Sequence, residues 1–464
     1  MGLQTVKTEA GYVSGTVQGI PGKEVYVFRG IPYAAPPLND LRWKPPQPVA
    51  PWDGIRECTV YSLVPPHGPN MTKLPREQEI SEDCLYLNIL TPAKKPGDRL
   101  PVMVWMHGGG LDQGDGNRPM TEGLALPQHG VVLVNVNMRL GIFGLLAHPL
   151  LSKESPDKVS GNYLFRDMMA ALKWVQKNIA GFGGDPGNIT IFGQSGGGTK
   201  VTALLSSPLA KGLFQRAIIQ SGGGLVGIPL KDAEFIGEKL FAALGIANQK
   251  DPLAAARALP WKKIIDAYES LRNDASVPKV MEMMSIDGYL MPDTPQNIFK
   301  AGKHNHVPLM AGSTKGELTM WPHSMRKHIP YYLSLFAGNT AVGEKNYAYI
   351  FDHTPDGWKK EGCVTCHGMD LPYVFGAHRE QLSWDEIYSV ATNDKAGAKS
   401  REPGYNETDD KISEMMSSIW ASFAKTGDPS VKGLIKWPAY DAAGDKYVYF
   451  TDHPEIKSGF SKVG

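Results

Sequence analysis

The stretch GFGGDPGNITIFGQSGGG, from Gly181 to Gly198, decides the fold. Asn188 to Phe192 alternates β-branched and apolar residues, as short buried strands do. It leads into a G-x-S-x-G motif at 193–197 and then into Thr199 to Leu205, which can form a helix. A serine at such a sharp strand-to-helix turn takes a strained backbone conformation, and the flanking glycines leave room for it. The sequence therefore predicts a projecting Ser195 hydroxyl near the N-terminal amides of a helix.

Taken alone, a bare G-x-S-x-G more often marks a glycine-rich turn with an incidental serine. The rest of the chain supplies a more specific context. Near-continuous apolar runs at Pro101 to Met106 and Val131 to Val136 are typical of strands covered on both faces. Arg166 to Ile179 has the spacing of an amphipathic helix. The alternation of strands and helices across residues 100–312 predicts a mostly parallel sheet with helices on both faces.

Outside this region, short strands are expected at Thr5 to Thr8, Tyr12 to Val17 and Val25 to Phe28, which would make a small N-terminal β-region. The proline-rich passage from Phe28 to Trp52 should form an ordered loop without regular structure. A long helix is expected from Asp409 to Lys425, ended by the glycine and proline that follow. We see no repeat or linker, so one large unit of residues 1–464 is the economical interpretation.

Composition excludes several classes of function. The 464 residues carry 48 basic and 47 acidic side chains, for a net charge of +1, which favours neither nucleic acid nor an anionic membrane surface as a partner. The most apolar region, Val131 to Leu151, is interrupted by polar side chains and is no membrane span. Met1 to Ala10 lacks the apolar core of a signal peptide, so we expect a cytoplasmic protein or a secreted one whose leader has been removed.

Several separated segments together resemble the type-B carboxylesterases, the α/β-hydrolases that include cholinesterases and bacterial para-nitrobenzyl esterases. The matching segments are FRGIPYAAPP, SEDCLYLNILTP, VWMHGGG, NMRLGIFGLL, ALKWVQKNIAGFGGDPGNITIFGQSGGG and WASFAKTGDP. The resemblance implies an α/β-hydrolase fold in which the serine turn is the nucleophile elbow. It also implies insertions at about 225–300 and 318–410 that shape the substrate pocket.

The order of the triad in this family is serine, glutamate, histidine. The resemblance therefore implies Ser195 as nucleophile, Glu317 in the segment GSTKGE as the acid, and His367 in CHGMDLPYVFG as the base. A serine hydroxyl is a weak nucleophile until a base takes its proton, and a carboxylate must hold the imidazole in the right tautomer. These roles give an acyl-enzyme mechanism that requires no metal and no organic cofactor.

The tetrahedral intermediate also needs preorganised donors. By position in the family these are the backbone amides of Gly109 and Gly110, in the His107-Gly-Gly-Gly loop, and of Gly196. Without the elbow downstream, a flexible loop would explain the three glycines equally well. With the elbow present, the sequence favours an oxyanion hole.

The resemblance further implies two structural ion pairs, Arg42 with Glu82 and Arg139 with Asp167. The resemblance also implies an early disulfide at the SEDC segment, where Cys84 fits but Cys58 lies earlier than the usual partner; a Cys58–Cys84 bond is the hypothesis that follows. Cys363, Cys366 and His367 spell the haem-attachment pattern C-x-x-C-H. We favour two free thiols over a disulfide there, and place metal or haem binding behind both, because the histidine already has a role.

Two departures from the family bear on the substrate. Gln194 replaces the usual glutamate before the nucleophile, which weakens any preference for cationic esters. Only 50 positions separate Glu317 from His367, about half the family's gap. We therefore expect a shallower, more open site, with Met320, Trp321 and Tyr331 to Phe336 as candidates for its remaining wall, or as core residues.

The sequence thus predicts a serine carboxylesterase acting on small uncharged esters of short to medium acyl or aryl groups, with bulky groups admitted by the open site. The alternative is a catalytically silent member of the same fold that serves in binding or adhesion. Dinucleotide binding is excluded because the G-x-G-x-x-G pattern is absent. We expect a monomer or a weak homo-oligomer, with no nucleic-acid partner.

Overall fold

The structure is a computed structural model, and it describes residues 3–67, 80–224, 227–271, 283–317, 325–360, 362–392 and 402–463. The strands are β1 Thr5–Lys7, β2 Tyr12–Ser14, β3 Thr16–Gln18, β4 Val25–Pro32, β5 Ile55–Glu57, β6 Tyr86–Thr91, β7 Leu100–Met106, β8 Val132–Val136, β9 Gly184–Gln194, β10 Arg216–Gln220, β11 Gly227–Pro229, β12 Met284–Ile286, β13 Leu309–Thr314, β14 Asn346–Phe351, β15 Lys446–Phe450 and β16 Pro454–Ser458.

The α-helices of the described residues lie mainly between these strands. They are α1 Ala125–Gln128, α2 Gly141–Leu145, α3 Pro149–Glu154, α4 Tyr163–Asn178, α5 Gly196–Ser206, α6 Leu230–Ala243, α7 Pro252–Ala258, α8 Trp261–Leu271, α9 Pro295–Lys300, α10 Met325–Ala341, α11 Asp356–Lys360, α12 Leu371–Phe375, α13 Gln381–Thr392 and α14 Glu407–Thr426.

A large central sheet organises the described chain, with strand order β16-β15-β14-β13-β10-β9-β7-β8-β6-β4-β3. Within the run β15-β14-β13-β10-β9-β7-β8, every neighbouring pair of strands is parallel. The outer pairs, β15 with β16 and the run β8-β6-β4-β3, are antiparallel. The predicted mostly parallel sheet is therefore confirmed, and β1, β2 and β5 form the separate small N-terminal sheet.

The strand β7 shows that helices cover both faces of the sheet. Val102 and Val104 pack in one buried apolar cluster with residues of α4 and α5. Met103 and Trp105 pack in a second cluster with residues of α12 and α14. Because successive side chains of a strand point to opposite faces, the two clusters lie on opposite sides of the sheet. This arrangement matches the continuous apolar runs of the sequence.

The topology gathers the ends of several parallel strands at one edge. Gln194 at the end of β9 pairs with Gln220 at the end of β10, and Gln220 pairs with Gly312 of β13. Ser195 follows β9, and Glu317 follows β13 by three residues. In open α/β sheets ligands bind at this carboxyl edge, so the fold brings these two residues to the expected place.

The proline-rich passage differs in part from its prediction. The strand β4 continues to Pro32, and a short 3-10 helix covers Asn39–Leu41. Pro32 ends the strand opposite Tyr86 of β6. The prediction that α14 is ended by a glycine is confirmed, since Gly427 caps it in the left-handed conformation with φ 79°.

Both expected arginine–carboxylate pairs are present and buried. Arg42 Nε and Nη2 donate to the two carboxylate oxygens of Glu82 at 2.7 and 2.5 Å. Arg139 contacts Asp167 in the same bidentate way, at 2.8 and 2.6 Å. Each buried fork ties together two segments that are distant in the sequence, so the structural role predicted for these charges is confirmed.

The Cys58–Cys84 disulfide hypothesis is wrong, because all four cysteines are free. The backbone of Cys58 is fixed by two hydrogen bonds of 2.7 Å, to the carbonyl of Ser14 and from the amide of Arg29. Its thiol faces the carbonyl of Gly30 at 3.9 Å instead. In the described part of the chain, no helix has both the length and the apolar character needed to cross a membrane.

Candidate active site

Ser195 occupies the strained turn that the sequence predicts. It lies between the end of β9 and the start of α5 with φ 57° and ψ −124°, a conformation that costs a non-glycine residue energy. Its amide donates to the carbonyl of Gln220 at 2.8 Å. A Cβ on Gly197 would lie only 2.0 Å from the carbonyl oxygen of Met106, so the glycine is required by close packing.

The predicted acid and base are in direct contact. His367 Nδ1 donates to Glu317 Oε2 at 2.5 Å, and the backbone amide of His367 donates to the Glu317 carbonyl at 2.8 Å. The other carboxylate oxygen of Glu317 accepts from the amide and the hydroxyl of Thr314, each at 3.0 Å. Glu317 is buried and has φ 44°, a second strained non-glycine backbone at this edge of the sheet.

Electrostatics favour a charged Glu317 beside an imidazole that is easily protonated. Burial raises the pKa of Glu317, but the charge and hydrogen bond of His367 outweigh it and lower that pKa to about 2. Burial lowers the pKa of His367, yet the Glu317 carboxylate outweighs this and leaves that pKa raised above its ordinary value. The carboxylate thus fixes the tautomer and increases the basicity of the ring nitrogen that faces away from it.

One cavity of about 370 Å³ brings Ser195 and His367 together with the glycine loop. An added Cβ on Gly108 would lie 3.6 Å from the Cβ of Ser195, which shows how closely the loop approaches the serine. Glu317 lies behind His367 and not on the cavity wall. The lining consists of Trp105, His107, Gly108, Gly109, Gly110, Asp112, Gln113, Gly114, Arg118, Met120, Thr121, Gln194, Ser195, His367, Gly368, Leu371, Glu386 and Ile387.

The three glycines predicted to supply the oxyanion donors lie close together, and Gly109 and Gly110 line the cavity. Gly109 and Gly110 have left-handed backbones, with φ 86° and 63°. A Cβ on Gly196 would lie 2.1 Å from the oxygen and 2.4 Å from the nitrogen of Gly110, so these two backbones are in contact. The structure therefore brings Gly109, Gly110 and Gly196 together beside Ser195.

Asp370 is a buried acid that the sequence analysis missed. Its Oδ2 accepts from Gln220 Nε2 at 2.8 Å and from the Tyr349 hydroxyl at 3.4 Å. Burial raises the pKa of Asp370 to about 6, although the hydrogen bond from Gln220 opposes this. Its charge also contributes to the raised pKa of His367. The local sequence carries no signal of this burial, because its partners Gln220 and Tyr349 are distant along the chain.

The cavity wall also carries charges that the sequence did not reveal. Arg118 forms an ion pair with Glu386 and lies 3.5 Å from a carboxylate oxygen of Asp115. Of the predicted wall residues, Met320 and Trp321 lie outside the described residues. Residues 331–336 include four members of the main apolar cluster, and none of them lines this cavity, in agreement with the core-packing alternative.

The C-x-x-C-H segment holds thiols beside the histidine. Cys363 is half-buried and Cys366 is buried, and both are free. Burial raises the pKa of Cys366 to about 12, so this sulfur is an inert thiol at neutral pH. Among the described residues no group of three or more histidine, cysteine or acidic side chains is arranged to hold a metal ion.

A strained serine between a parallel strand and a helix, at the carboxyl edge of a sheet covered on both faces, defines an α/β-hydrolase. The model of the carboxylesterase family matches residues 3–332 and 328–463. The chain is 32% identical to fumonisin B1 esterase of Sphingopyxis macrogoltabida, over 93% of this chain and 84% of that protein. It is 31% identical to para-nitrobenzyl esterase of Bacillus subtilis strain 168, over 94% of this chain and 92% of that protein.

A solved structure of a PNB esterase superposes with a TM-score of 0.83 at 28% identity, covering 98% of this chain and 97% of that one. The chain therefore belongs to the carboxylesterase family and is a carboxylic ester hydrolase.

Proposed function

We propose that the chain hydrolyses esters through an acyl-enzyme on Ser195, with His367 as general base and acid and Glu317 as the carboxylate that orients it. The observation that carries this proposal is the 2.5 Å contact between His367 Nδ1 and Glu317, with the imidazole on the wall of the cavity that holds Ser195. This contact leaves Nε2 as the ring nitrogen free to take a proton.

In the first half of the reaction, Ser195 Oγ attacks the ester carbonyl carbon and His367 takes the hydroxyl proton. The carbonyl oxygen becomes an oxyanion, and the amides of Gly109, Gly110 and Gly196 stabilise it. The tetrahedral intermediate then expels the alcohol, which receives the proton from His367. Water repeats these steps on the acyl-enzyme, releasing the carboxylic acid and restoring the serine.

Glu317 keeps its negative charge throughout because its pKa is far below neutral. It stabilises the imidazolium that forms in each transition state and does not itself take the proton. The two hydrogen bonds from Thr314 hold the carboxylate in this orientation. The three groups come from different parts of the fold: Ser195 follows β9, Glu317 follows β13 and His367 precedes α12.

The preferred substrates under this proposal are uncharged esters of short to medium acyl groups or of aryl alcohols. Trp105, Met120, Leu371 and Ile387 give the cavity apolar surface, and the neutral Gln194 lies beside the nucleophile. The similarity to a para-nitrobenzyl esterase supports an ester whose alcohol carries an aromatic ring. An open site should tolerate bulk, so a branched acyl ester should be cleaved within about tenfold of its linear isomer, a difference of about 1.4 kcal/mol.

We also propose that the segment 318–410 shapes this pocket within one α/β-hydrolase domain of residues 1–464. His367, Gly368, Leu371, Glu386 and Ile387 of that segment line the cavity. The segment 225–300 has no such support, because none of its described residues is in the lining.

The test is hydrolysis of a para-nitrophenyl acyl ester by the wild-type chain and by Ser195→Ala. Loss of the nucleophile should lower kcat by at least about 10⁴-fold. Ser206→Ala is the matched control, since Ser206 lies on the same helix but donates to the carbonyl of Thr202 away from the cavity. Activity retained by Ser195→Ala would contradict the proposal.

A further inference from the structure

Lys200 is a buried cation that the mechanism above does not use. It lies on α5, five residues after Ser195, and its relative exposure is 0%. Its ammonium group donates to the carbonyl oxygen of His107 at 2.9 Å. Removing an ammonium from water is costly, so its presence requires compensating interactions and calls for an explanation.

His107 begins the glycine loop, and the carbonyls of that loop are held one after another. The His107 carbonyl accepts from Lys200. The Gly108 carbonyl accepts from His107 Nδ1 at 2.9 Å, and the Gly109 carbonyl accepts from the amide of Gln113 at 2.9 Å. Because a peptide unit is planar, a fixed carbonyl also fixes the amide of the residue that follows it. Lys200 thereby orients the Gly108 amide at the start of the loop. The His107 ring orients the Gly109 amide in the same way, and Gln113 orients the Gly110 amide.

The charges around Lys200 affect both its own protonation and that of His107. Burial lowers the pKa of Lys200 to about 7, the Asp112 carboxylate opposes this shift, and Arg118 reinforces it. Burial and the charge of Lys200 both lower the pKa of His107, which keeps that ring neutral. Since a carbonyl can only accept, the neutral ring must carry its proton on Nδ1. The lysine thus also favours the form of His107 that the loop needs.

We propose that Lys200 is a positioning residue for the oxyanion donors, holding the 107–110 loop from behind so that the amides of Gly109 and Gly110 meet the tetrahedral intermediate. This inference rests on the proposed function of Ser195. The positive charge of Lys200, in a site shielded from water, also favours the negative charge that develops on the substrate oxygen. Both effects act on the transition state, so Lys200 should influence kcat and leave KM nearly unchanged.

The test compares Lys200→Met, which keeps the apolar stem and removes the ammonium group, with Lys200→Gln, which keeps a donor without the charge. On a para-nitrophenyl ester, kcat of Lys200→Met should fall by about 10- to 100-fold, less than the loss of a whole oxyanion donor, with KM within about twofold. The kcat of Lys200→Gln should lie between that of Lys200→Met and that of the wild type. Thr202→Val, on the same helix, is the matched control and should stay within about twofold of wild type.

A second readout separates positioning from a general loss of packing. A trifluoromethyl ketone adds to the serine and forms an oxyanion, so its inhibition constant should rise in the two lysine variants by the same factor as kcat/KM falls. A folded Lys200→Met enzyme with wild-type kcat, or with a raised KM alone, would overturn the inference. So would an inhibition constant that does not change.

The wild-type enzyme allows a measurement that does not depend on folding of any variant. Loss of the ammonium proton should lower kcat as the pH rises above neutral, because the loop then loses its charged donor. Asp112, Arg118 and His107 are the other ionisable groups acting at this site. A kcat that stays flat to pH 10 would also overturn the inference. If Ser195→Ala remained active, the proposed function would fail first, which distinguishes the two failures.

Discussion

The two halves of the active site are held together by different forces. The elbow half, which comprises Ser195, Gly196 and the loop 107–110, is built of backbone packed so closely that a Cβ on Gly196 would lie 2.1 Å from the Gly110 oxygen. The acid half, which comprises Glu317, His367 and Asp370, is built of ionisable side chains: the two acids are buried, and the imidazole lies on the cavity wall. The elbow half should therefore be sensitive to added atoms, and the acid half to changes of charge that add no atoms.

The largest effect is expected for Glu317→Gln, which keeps the shape of the acid half and removes its charge. The amide can no longer hold the productive tautomer, so kcat should fall by about 10⁴-fold. The pKa of His367 is raised by this carboxylate, and activity requires the neutral ring, so wild-type activity is lost as the pH falls through that raised pKa. In Glu317→Gln the acid limb of the residual activity should move to lower pH, as a pH–rate profile would show. An unmoved limb would contradict this account of the acid half.

Gly196→Ala tests the elbow half by adding one methyl group. The methyl group must push Gly110 away, which misplaces two of the three proposed donors, and kcat should fall by about 10²- to 10³-fold. The pH–rate profile should keep its shape, because no charge has changed. The control is Gly187→Ala on the same strand as the elbow, where the added Cβ would meet only an Asp185 oxygen at 3.4 Å. Equal kcat values for the two variants would show that the close packing of Gly196 against Gly110 does not determine the rate.

Asp370→Asn should give the smallest change in rate, a few-fold, together with a measurable change in stability. The pKa of Asp370 is about 6 in the fold against an ordinary 3.8. The folded state therefore binds more protons between these values, and wild-type stability falls as the pH rises through that window. The asparagine variant avoids this loss and should have a free energy of unfolding higher by about 1–3 kcal/mol at pH 7.5 and nearly equal to wild type below pH 4. Urea denaturation at the two pH values measures the difference, and a variant less stable at pH 7.5 would contradict it.

The elbow half could be predicted from the sequence because its information is local. Glycines stand at fixed offsets around Ser195, and three more follow His107. These glycines indicate directly where the backbone must pack closely. The parallel sheet was predictable for a similar reason, since its strands are continuous apolar runs. The strands β14 to β16 were not identified, although β14 and β15 are rich in the aromatic and β-branched residues typical of strands. Their place in the sheet is set by pairing with strands that are distant in the sequence.

The acid half could be predicted only in part. Glu317 and His367 followed from the resemblance to a family, whereas the burial of Asp370 arises from contacts with Gln220 and Tyr349 far away in the sequence. Lys200 was missed for the same reason, because nothing in a linear pattern shows that a helical lysine has no exposure. The disulfide proposed for Cys58 was wrong, and the backbone hydrogen bonds of that residue to Ser14 and Arg29 could not be read from the local sequence either.

The most direct test of the central claim is a crystal structure of the enzyme after reaction with an aryl alkylphosphonate. The account predicts a bond from phosphorus to Ser195 Oγ, with the phosphonyl oxygen accepting from the amides of Gly109, Gly110 and Gly196 and with His367 Nε2 within hydrogen-bond distance of an oxygen of the adduct. An adduct on another residue, or a phosphonyl oxygen that points away from the glycine loop, would contradict the account.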